Sequence, residues 1–178
     1  TIFQIAEDRV RAGLVPMREV VQESMGRLER VMAEGKRITG LATGYSQLDN
    51  LTSGLQPSEL IILAARPSVG KTALALNLAE NAAIRNHAQV AIFSLEMSKD
   101  SLLMRLLASQ ARIDAHKFRT GHFSKEDWRQ MTHSLAQISE TPLWIDDSGS
   151  ATVTEIGAKA RRLKRDKGLA MVVVDYLQ

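Results

Sequence analysis

The fold is decided by one stretch of sequence, Leu60-Ile61-Ile62-Leu63-Ala64-Ala65-Arg66-Pro67-Ser68-Val69-Gly70-Lys71-Thr72. Its first half is apolar and β-branched, which is the pattern of a strand buried on both faces. Pro67 and Gly70 break the run, and residues 73–84 continue as an alanine- and leucine-rich segment of high helix propensity. The stretch therefore predicts a strand at Leu60–Ala65, then a turn, then a helix.

A loop that ends in Gly-Lys-Thr between a strand and a helix is typical of a phosphate-binding site. The first turn of a helix offers unpaired N–H groups and a partial positive charge, and Gly70 lets the backbone close around phosphate oxygens. Lys71 is predicted to reach the β- and γ-phosphates of a nucleotide, and the Thr72 hydroxyl to bind Mg²⁺. The predicted nucleotide-binding residues are Ala65, Arg66, Pro67, Ser68, Val69, Gly70, Lys71 and Thr72.

The loop departs from the usual phosphate-binding pattern at its first position. That pattern begins with glycine, and here Ala65 stands in its place. Because alanine adopts positive φ angles less readily than glycine, we expect the turn to begin with an ordinary backbone conformation.

Strand and helix signals alternate along the rest of the chain. Three more buried strands are predicted, at Gln89–Leu95, Pro142–Asp146 and Leu169–Val174, and residues 112–123 are predicted to be mostly loop. Helical signals run from Pro16 to about Ala33, onward from the cap Ser98, from Ser124 to about Ile138, and from Thr152 to about Lys167. Strands that alternate with helices require a parallel sheet, so we expect an α/β fold.

Carboxylates follow two of the predicted strands. Asp175 comes directly after Met171–Val174, and Glu96 follows Gln89–Leu95. In an open parallel sheet, ligands bind outside the carboxyl ends of the strands. Asp175 is therefore predicted to hold Mg²⁺ through water, as in a Walker B strand, and Glu96 to orient or deprotonate the attacking water. The alternative for Glu96 is a solvated loop carboxylate.

Other polar residues suggest no competing chemistry. Asp146 and Asp147 also end a strand, but such residues more often satisfy the N–H groups of the adjacent turn. The four histidines lack the spacing of metal ligands; they are His87, His116, His122 and His133.

Composition excludes several classes of protein. The 178 residues include no cysteine, so disulfides, thiol chemistry and thiolate metal sites are excluded, which suits the cytosol. No apolar run approaches the roughly 18–20 residues that span a bilayer, so no membrane partner is expected. The net charge of +3 permits a polyanionic partner without requiring one.

Three motifs resemble the bacterial replicative DNA helicases of the DnaB family. They are the loop at residues 64–72, Phe93-Ser94-Leu95-Glu96-Met97, and Asp175-Tyr176-Leu177-Gln178. The segment before the loop, with Thr43-Gly44-Tyr45 and Leu48-Asp49, is similar to the lead-in of that family and of its RecA-like relatives. Alanine at position 65 is common in the family, so the departure noted above fits the resemblance.

The resemblance implies an ATP-dependent motor with a RecA-like P-loop sheet flanked by helices. Carried over, Lys71 and Thr72 bind ATP and Mg²⁺, with Lys71 also serving catalysis. Asp175 becomes the Walker B carboxylate, and Glu96 the catalytic glutamate. Such a motor hydrolyses ATP, translocates on single-stranded DNA and unwinds duplex at the replication fork. It works in the cytoplasm as a homohexamer, with primase and a helicase loader as partners.

The resemblance also predicts how the chain is divided. Residues 1–35 would be a helical linker, and residues 36–178 the N-terminal part of the ATPase domain, ending at Walker B. In the family the DNA-binding loops, polar sensor and arginine finger follow the Walker B strand, so DNA contacts are expected beyond Gln178. The next strand inserts between the Walker A and Walker B strands, so we expect Leu60–Ala65 to lack that neighbour and the sheet to be incomplete.

An apolar stripe at Ile2, Phe3, Ala6 and Val10 lies near the start of the chain. It either packs on its own domain or docks on a neighbouring subunit. The resemblance to the end of the family's linker helix favours the subunit contact.

Other interpretations stay open. A RecA-family ATPase of recombination or regulatory type would share Glu96 and Asp175, but it would more often show a loop different from Arg66-Pro67-Ser68. A non-catalytic, nucleotide-gated docking module is favoured only if Glu96 points away from the phosphate site. The basic run from Lys159 to Lys167 resembles a DNA patch, but its positions spread around one helix, which favours a solvated face.

Overall fold

The computed structural model describes residues 15–35 and 37–176. The chain forms two compact units, residues 1–39 and residues 40–178. The stripe predicted at Ile2, Phe3, Ala6 and Val10 lies outside the described residues.

The described part of the first unit is dominated by helix α1, Met17–Glu34. Pro16 precedes it with a φ of −58°, and Gly35 ends it in the left-handed conformation, where its N–H donates to the Val31 carbonyl. The helix predicted from Pro16 to about Ala33 is thus confirmed to within a residue at each end. Its apolar side chains are all exposed; they are Met17, Val20, Val21, Met25, Leu28, Val31 and Met32.

The second unit alternates helices and strands. In chain order its elements are α2 (Ser46–Thr52), α3 (Lys71–Asn86), β1 (Gln89–Ser94), α4 (Lys99–Ala111), α5 (Ala115–Thr120), α6 (Lys125–Glu140), β2 (Leu143–Asp146), α7 (Val153–Lys167) and β3 (Leu169–Asp175). Side-chain caps fix the starts of the longer helices. The Ser98 hydroxyl accepts from the Ser101 N–H, and Ser124 and Thr152 form capping boxes with Asp127 and Glu155.

The three strands form one parallel sheet in the order β2-β1-β3. Ile92 of β1 belongs to a core in which helices α3 and α4 cover one face of the sheet. Phe93 points to the other face, where α7 packs on it. The α/β fold with a parallel sheet is therefore confirmed. The register aligns Ser94 at the carboxyl end of β1 with Asp175 at the end of β3.

The strand predicted at Leu60–Ala65 is wrong as a paired strand. Within the part of the chain that the structure describes, residues 60–65 make no backbone hydrogen bond to a strand, and Leu60 is 83% exposed. An apolar, β-branched sequence becomes a strand only beside a partner, and β3, the edge of the sheet, does not pair with it. The narrower expectation, that Leu60–Ala65 does not pair with Leu169–Asp175, is confirmed.

The loop predicted at residues 112–123 contains a short helix. Asp114 caps α5 by accepting from the His116 N–H, and Gly121 ends it. The helix is only six residues long, so it leaves little periodic signal in the sequence. The predictions had also missed α2, which has seven residues.

Candidate nucleotide-binding site

The phosphate-binding loop leads into α3 along an exposed path, with residues 65–70 all exposed. Positive φ occurs within the loop at Ser68 (65°) and Gly70 (106°), and not at Ala65. The expectation that the turn begins with an ordinary backbone conformation is thus confirmed. Gly70 precedes the first residue of α3, and among the residues that the structure describes no side-chain cap is present at the start of that helix. The N–H groups of its first turn can face a ligand at the loop.

The two side chains that open α3 converge on one carboxylate at the end of β3. The Lys71 Nζ lies 2.9 Å from Asp175 Oδ1, and the Thr72 hydroxyl donates to Asp175 Oδ2 at 2.6 Å. Asp175 is only 6% exposed, so its charge depends on these two partners for stabilisation. The structure therefore brings together three of the predicted site residues, although Thr72 and Asp175 are 103 positions apart.

Tyr176 adds an aromatic face to this cluster. The Lys71 ammonium lies 4.4 Å from the centroid of the Tyr176 ring, which is a cation–π distance. The ammonium thus contacts both a carboxylate and an aromatic ring. In the sequence, Tyr176 stands out only as part of the motif Asp175-Tyr176-Leu177-Gln178. The adjacency of an aromatic residue to Asp175 was the one signal that could have pointed to it.

Glu96 lies in the turn that links β1 to α4, and this turn is attached to the Asp175 strand. The Leu95 N–H donates to the Asp175 carbonyl at 2.7 Å, one residue before Glu96. Glu96 is exposed, and within residues 15–35 and 37–176 it has no hydrogen bond or ion pair. The structure therefore sets Glu96 on the strand end beside Asp175, with its carboxylate accessible to solvent.

Ser94 shapes that turn, and the sequence analysis did not single it out. Its hydroxyl donates to the Met97 carbonyl at 2.7 Å and accepts from the Met97 N–H at 3.1 Å. Ser94 is 1% exposed. A serine at the carboxyl end of a buried strand was the only available signal, and it does not reveal these partners.

The carboxylates after β2 organise turns. Asp146 accepts from the Ser148 N–H, and Asp147 accepts from the Lys99 N–H at the start of α4. The Asp146 contact agrees with the turn-satisfying role expected from sequence, whereas the Asp147 contact is made to a helix start far away in the chain. Asp147 in addition ties the end of β2 to the helix that follows Glu96.

The lead-in segment is bound to the face of α3. Asn81 and Asn86 donate to the carbonyls of Thr43 and Ala42, and the Thr43 N–H donates to the buried Asp49 at 2.8 Å. A Cβ built on Gly44 would lie 2.5 Å from Asn81 Nδ2, and Gly44 has a φ of +84°. The glycine in this motif is therefore required by close packing and by backbone conformation together.

The basic helix α7 uses several of its cations locally. Lys159 pairs with Asp146, and the hydrogen bond that Lys159 donates is the main cause that lowers the pKa of Asp146 to about 2. Arg162 and Arg165 both pair with Asp166, and the Lys164 ammonium donates to the Leu169 carbonyl. Four basic side chains of α7 therefore have partners within the described residues.

A search for other sites in the described residues gives two negative results. In residues 15–35 and 37–176, no group of three or more histidine, aspartate or glutamate side chains could hold a metal ion. No helix in those ranges has the length and apolar character needed to cross a bilayer.

The residues at the loop fit a nucleotide phosphate and its Mg²⁺. An exposed helix N-terminus, a lysine, a threonine hydroxyl and a carboxylate meet at one point, and this donor set suits phosphate oxygens and a hard cation. The predicted residues Lys71, Thr72 and Asp175 would hold these groups.

Known proteins are similar in sequence to this chain over its whole length. The chain is 42% identical to the replicative DNA helicase DnaC of Bacillus subtilis (strain 168), over all of this chain and 39% of the relative. It is 43% identical to the replicative DNA helicase DnaB of Geobacillus stearothermophilus, over 99% of this chain and 39% of the relative. The chain thus spans about two-fifths of the length of these relatives.

Solved structures share the fold. The ATPase domain of G40P superposes with a TM-score of 0.82 at 33% identity, over 89% of this chain and 57% of that one. A DnaB-like replicative helicase studied for its interactions with primase superposes with a TM-score of 0.78 at 32% identity, over 92% of this chain and 39% of that one. The fold is therefore that of RecA-like helicase ATPase domains.

The family of DnaB-like helicase C-terminal domains matches residues 40–178, the whole of the second compact unit. The chain therefore belongs to the DnaB-like helicase C-terminal domain family.

Proposed function

We propose that the site at the start of α3 binds and hydrolyses ATP with Mg²⁺. One observation carries the proposal: Lys71 and Thr72 both contact the carboxylate of Asp175 at the carboxyl end of the sheet. A lysine, a hydroxyl and a carboxylate in this arrangement are the side chains that phosphoryl transfer requires around Mg²⁺ and the β- and γ-phosphates.

Each residue has a distinct task in this proposal. The backbone N–H groups of residues 68–70 and of the first turn of α3 bind phosphate oxygens, and Lys71 stabilises the charge on the β- and γ-phosphates. Mg²⁺, when bound, neutralises charge on the same oxygens. Thr72 would hold the ion with its hydroxyl, and Asp175 would hold it through water. Glu96 accepts a proton from the water that attacks the γ-phosphate.

The proposal extends to the activity of the whole protein. Relatives at 42–43% identity are replicative DNA helicases, so we place this chain in the motor of such a helicase. The motor uses ATP hydrolysis to translocate on single-stranded DNA and to unwind duplex at the replication fork in the cytoplasm. We further propose that it works as a homohexamer with primase and a helicase loader as partners. Primase is named in the description of one structural neighbour.

The first test replaces Lys71 in the intact protein. We expect Lys71→Ala to abolish ATP hydrolysis and to weaken ATP binding about ten- to a hundred-fold, because a charge-assisted contact is worth about 1.5–3 kcal/mol. The control is Lys125→Ala, which removes an exposed lysine from the first position of α6 and should change neither property. Unchanged turnover in Lys71→Ala would overturn the proposal.

The second test separates binding from chemistry. Glu96→Gln keeps the shape of the side chain and loses the proton acceptor, so ATP should bind normally and persist. The matched control is Glu140→Gln, at the exposed end of α6. If Glu96→Gln fails to bind ATP, Glu96 belongs to the binding shell or to the fold. If it hydrolyses ATP at the normal rate, Glu96 is a solvated loop carboxylate.

A further inference from the structure

The turn between β1 and α4 is short and is fixed at several points. It begins at Ser94, carries Glu96 at its exposed position, and ends at the helix cap Ser98. The Leu95 N–H donates to the Asp175 carbonyl at 2.7 Å, and the Lys99 N–H donates to Asp147 Oδ2 at 3.0 Å. Both flanks of Glu96 are therefore held by neighbouring strand ends.

Within these anchors, the Ser94 hydroxyl closes the turn on itself. It donates to the Met97 carbonyl at 2.7 Å and accepts from the Met97 N–H at 3.1 Å, so it uses its hydrogen and a lone pair on one residue. The two backbone groups of Met97 lie directly after Glu96. A hydroxyl that holds both of them fixes the direction in which the Glu96 Cα–Cβ bond leaves the turn.

Burial makes the contact between the Ser94 hydroxyl and Met97 difficult for water to replace. Ser94 is 1% exposed, so water cannot replace the hydroxyl without a rearrangement of the core. Glu96 has no hydrogen bond or ion pair of its own in residues 15–35 and 37–176. Its placement thus depends on the backbone of the turn, and that backbone depends on Ser94.

We propose that Ser94 is a positioning residue for Glu96, and that its hydroxyl sets the carboxylate toward the attacking water beside Asp175. This inference rests on the proposed function, because it takes Glu96 as the group that accepts the proton. Ser94 contacts neither phosphate nor metal in this account. Its loss should reduce the rate of chemistry and leave nucleotide binding unchanged.

The test is a double-mutant cycle on ATP turnover by the intact protein. We expect Ser94→Ala to lower kcat about ten- to a hundred-fold with KM for ATP unchanged, because misplacing a reacting group by about 1 Å has effects of this size. In a Glu96→Gln background, where the group to be positioned is gone, the same substitution should cause no further loss in single-turnover rate.

Two further variants keep the test decisive. Ser134→Ala removes another buried hydroxyl, in α6, and should leave kcat unchanged even if it lowers the melting temperature. If Ser94→Ala does not fold, Ser94→Cys preserves the volume with weaker hydrogen bonding, and it should show a smaller loss of kcat in the same direction.

The outcomes separate the two proposals. An unchanged kcat in Ser94→Ala, or an equal loss with and without Glu96, would overturn the role of Ser94 while leaving ATP hydrolysis in place. A rise in KM as large as the fall in kcat would assign Ser94 to binding instead. Normal turnover in Glu96→Gln alone would overturn the role of Ser94 and the proton-accepting role of Glu96, while leaving ATP hydrolysis at the Lys71 site in place.

Discussion

At the scale of single residues, Glu80 is a buried carboxyl with incomplete hydrogen bonding. It lies on the buried face of α3 at 8% exposure, and its Oε1 has no hydrogen-bond partner among the described residues. Burial raises the pKa of this carboxyl above its ordinary value of 4.5, and the Ser109 hydroxyl and Arg85 oppose that shift only in part. Ionised Glu80 therefore destabilises the fold.

We expect Glu80→Gln to stabilise the intact protein by an amount that grows with pH. At pH ~4 the carboxyl is protonated in the folded and the unfolded chain, so the two proteins should melt at similar temperatures. As the pH rises above the ordinary value, the unfolded chain ionises first and wild-type stability falls, while the variant has no proton to lose. Thermal melts at pH ~4 and ~8 check this. Exposed Glu59→Gln is the control, and a difference that is largest at low pH would contradict the prediction.

Some residues of the site could be predicted from the sequence, and others could not. Lys71, Thr72 and Asp175 were identified from motifs, and the structure brings the Lys71 and Thr72 side chains within 3 Å of the Asp175 carboxylate. Their chemistry is carried by residue type and by position relative to strand ends, both of which are visible in a sequence. Ser94 and Tyr176 act through contacts that depend on how a turn folds and where a ring lies. No periodicity or spacing encodes such contacts.

At the scale of elements, α1 displays an exposed apolar stripe. Val21 and Leu28 lie two helical turns apart on that stripe, and each is more than half exposed. A row of this kind is more typical of an interface than of a solvated helix.

We predict that α1 contributes to assembly of the proposed hexamer. Val21→Ser combined with Leu28→Ser should shift the intact protein to smaller species in sedimentation, because each buried side chain of this size contributes about 1.5–3 kcal/mol. Ala33→Ser, on the opposite side of α1, is the control and should leave assembly unchanged. An unchanged oligomer with a lower melting temperature would place the stripe against its own subunit instead.

An element could be predicted where the signals for its start and its end lie in its own stretch of sequence. Ser98, Ser124 and Thr152 all cap helices as expected, because a cap acts within four residues of chain. Strand pairing is not local. The run Leu60–Ala65 has the composition of a buried strand, but hydrogen bonding to a neighbour decides whether it becomes one. Short helices such as α5 were missed for a different reason. They do form, but they have too few residues to show a helical period in the sequence.

At the scale of the whole molecule, apolar side chains are exposed both in the segment before the phosphate-binding loop and on the edge strand β3. Leu60 and Ile62 are 83% and 74% exposed, and Val172 on the edge strand β3 is 42% exposed. Unpaired backbone groups at such an edge cost about 1–3 kcal/mol each when covered without partners, against a typical domain stability of 5–15 kcal/mol.

We therefore expect that the 178-residue polypeptide does not fold autonomously when it is studied alone. It should bind a hydrophobic dye and melt without a cooperative transition, whereas the intact protein should melt cooperatively. Replacing Leu60 and Ile62 by Thr should reduce dye binding by the isolated polypeptide, with Leu51→Thr, at another exposed apolar site, as the control. A monomeric polypeptide with a sharp melt and no dye binding would contradict the prediction.

The central claim is that this chain belongs to an ATP-driven helicase motor whose phosphate site is built on Lys71, Thr72 and Asp175. Strand displacement by the intact protein on a forked DNA, with and without ATP, tests it most directly. We predict displacement only when ATP and Mg²⁺ are present, and none by Lys71→Ala. ATP hydrolysis without strand displacement would favour a RecA-family ATPase of recombination or regulatory type. Displacement that persists without nucleotide or in Lys71→Ala would contradict the account.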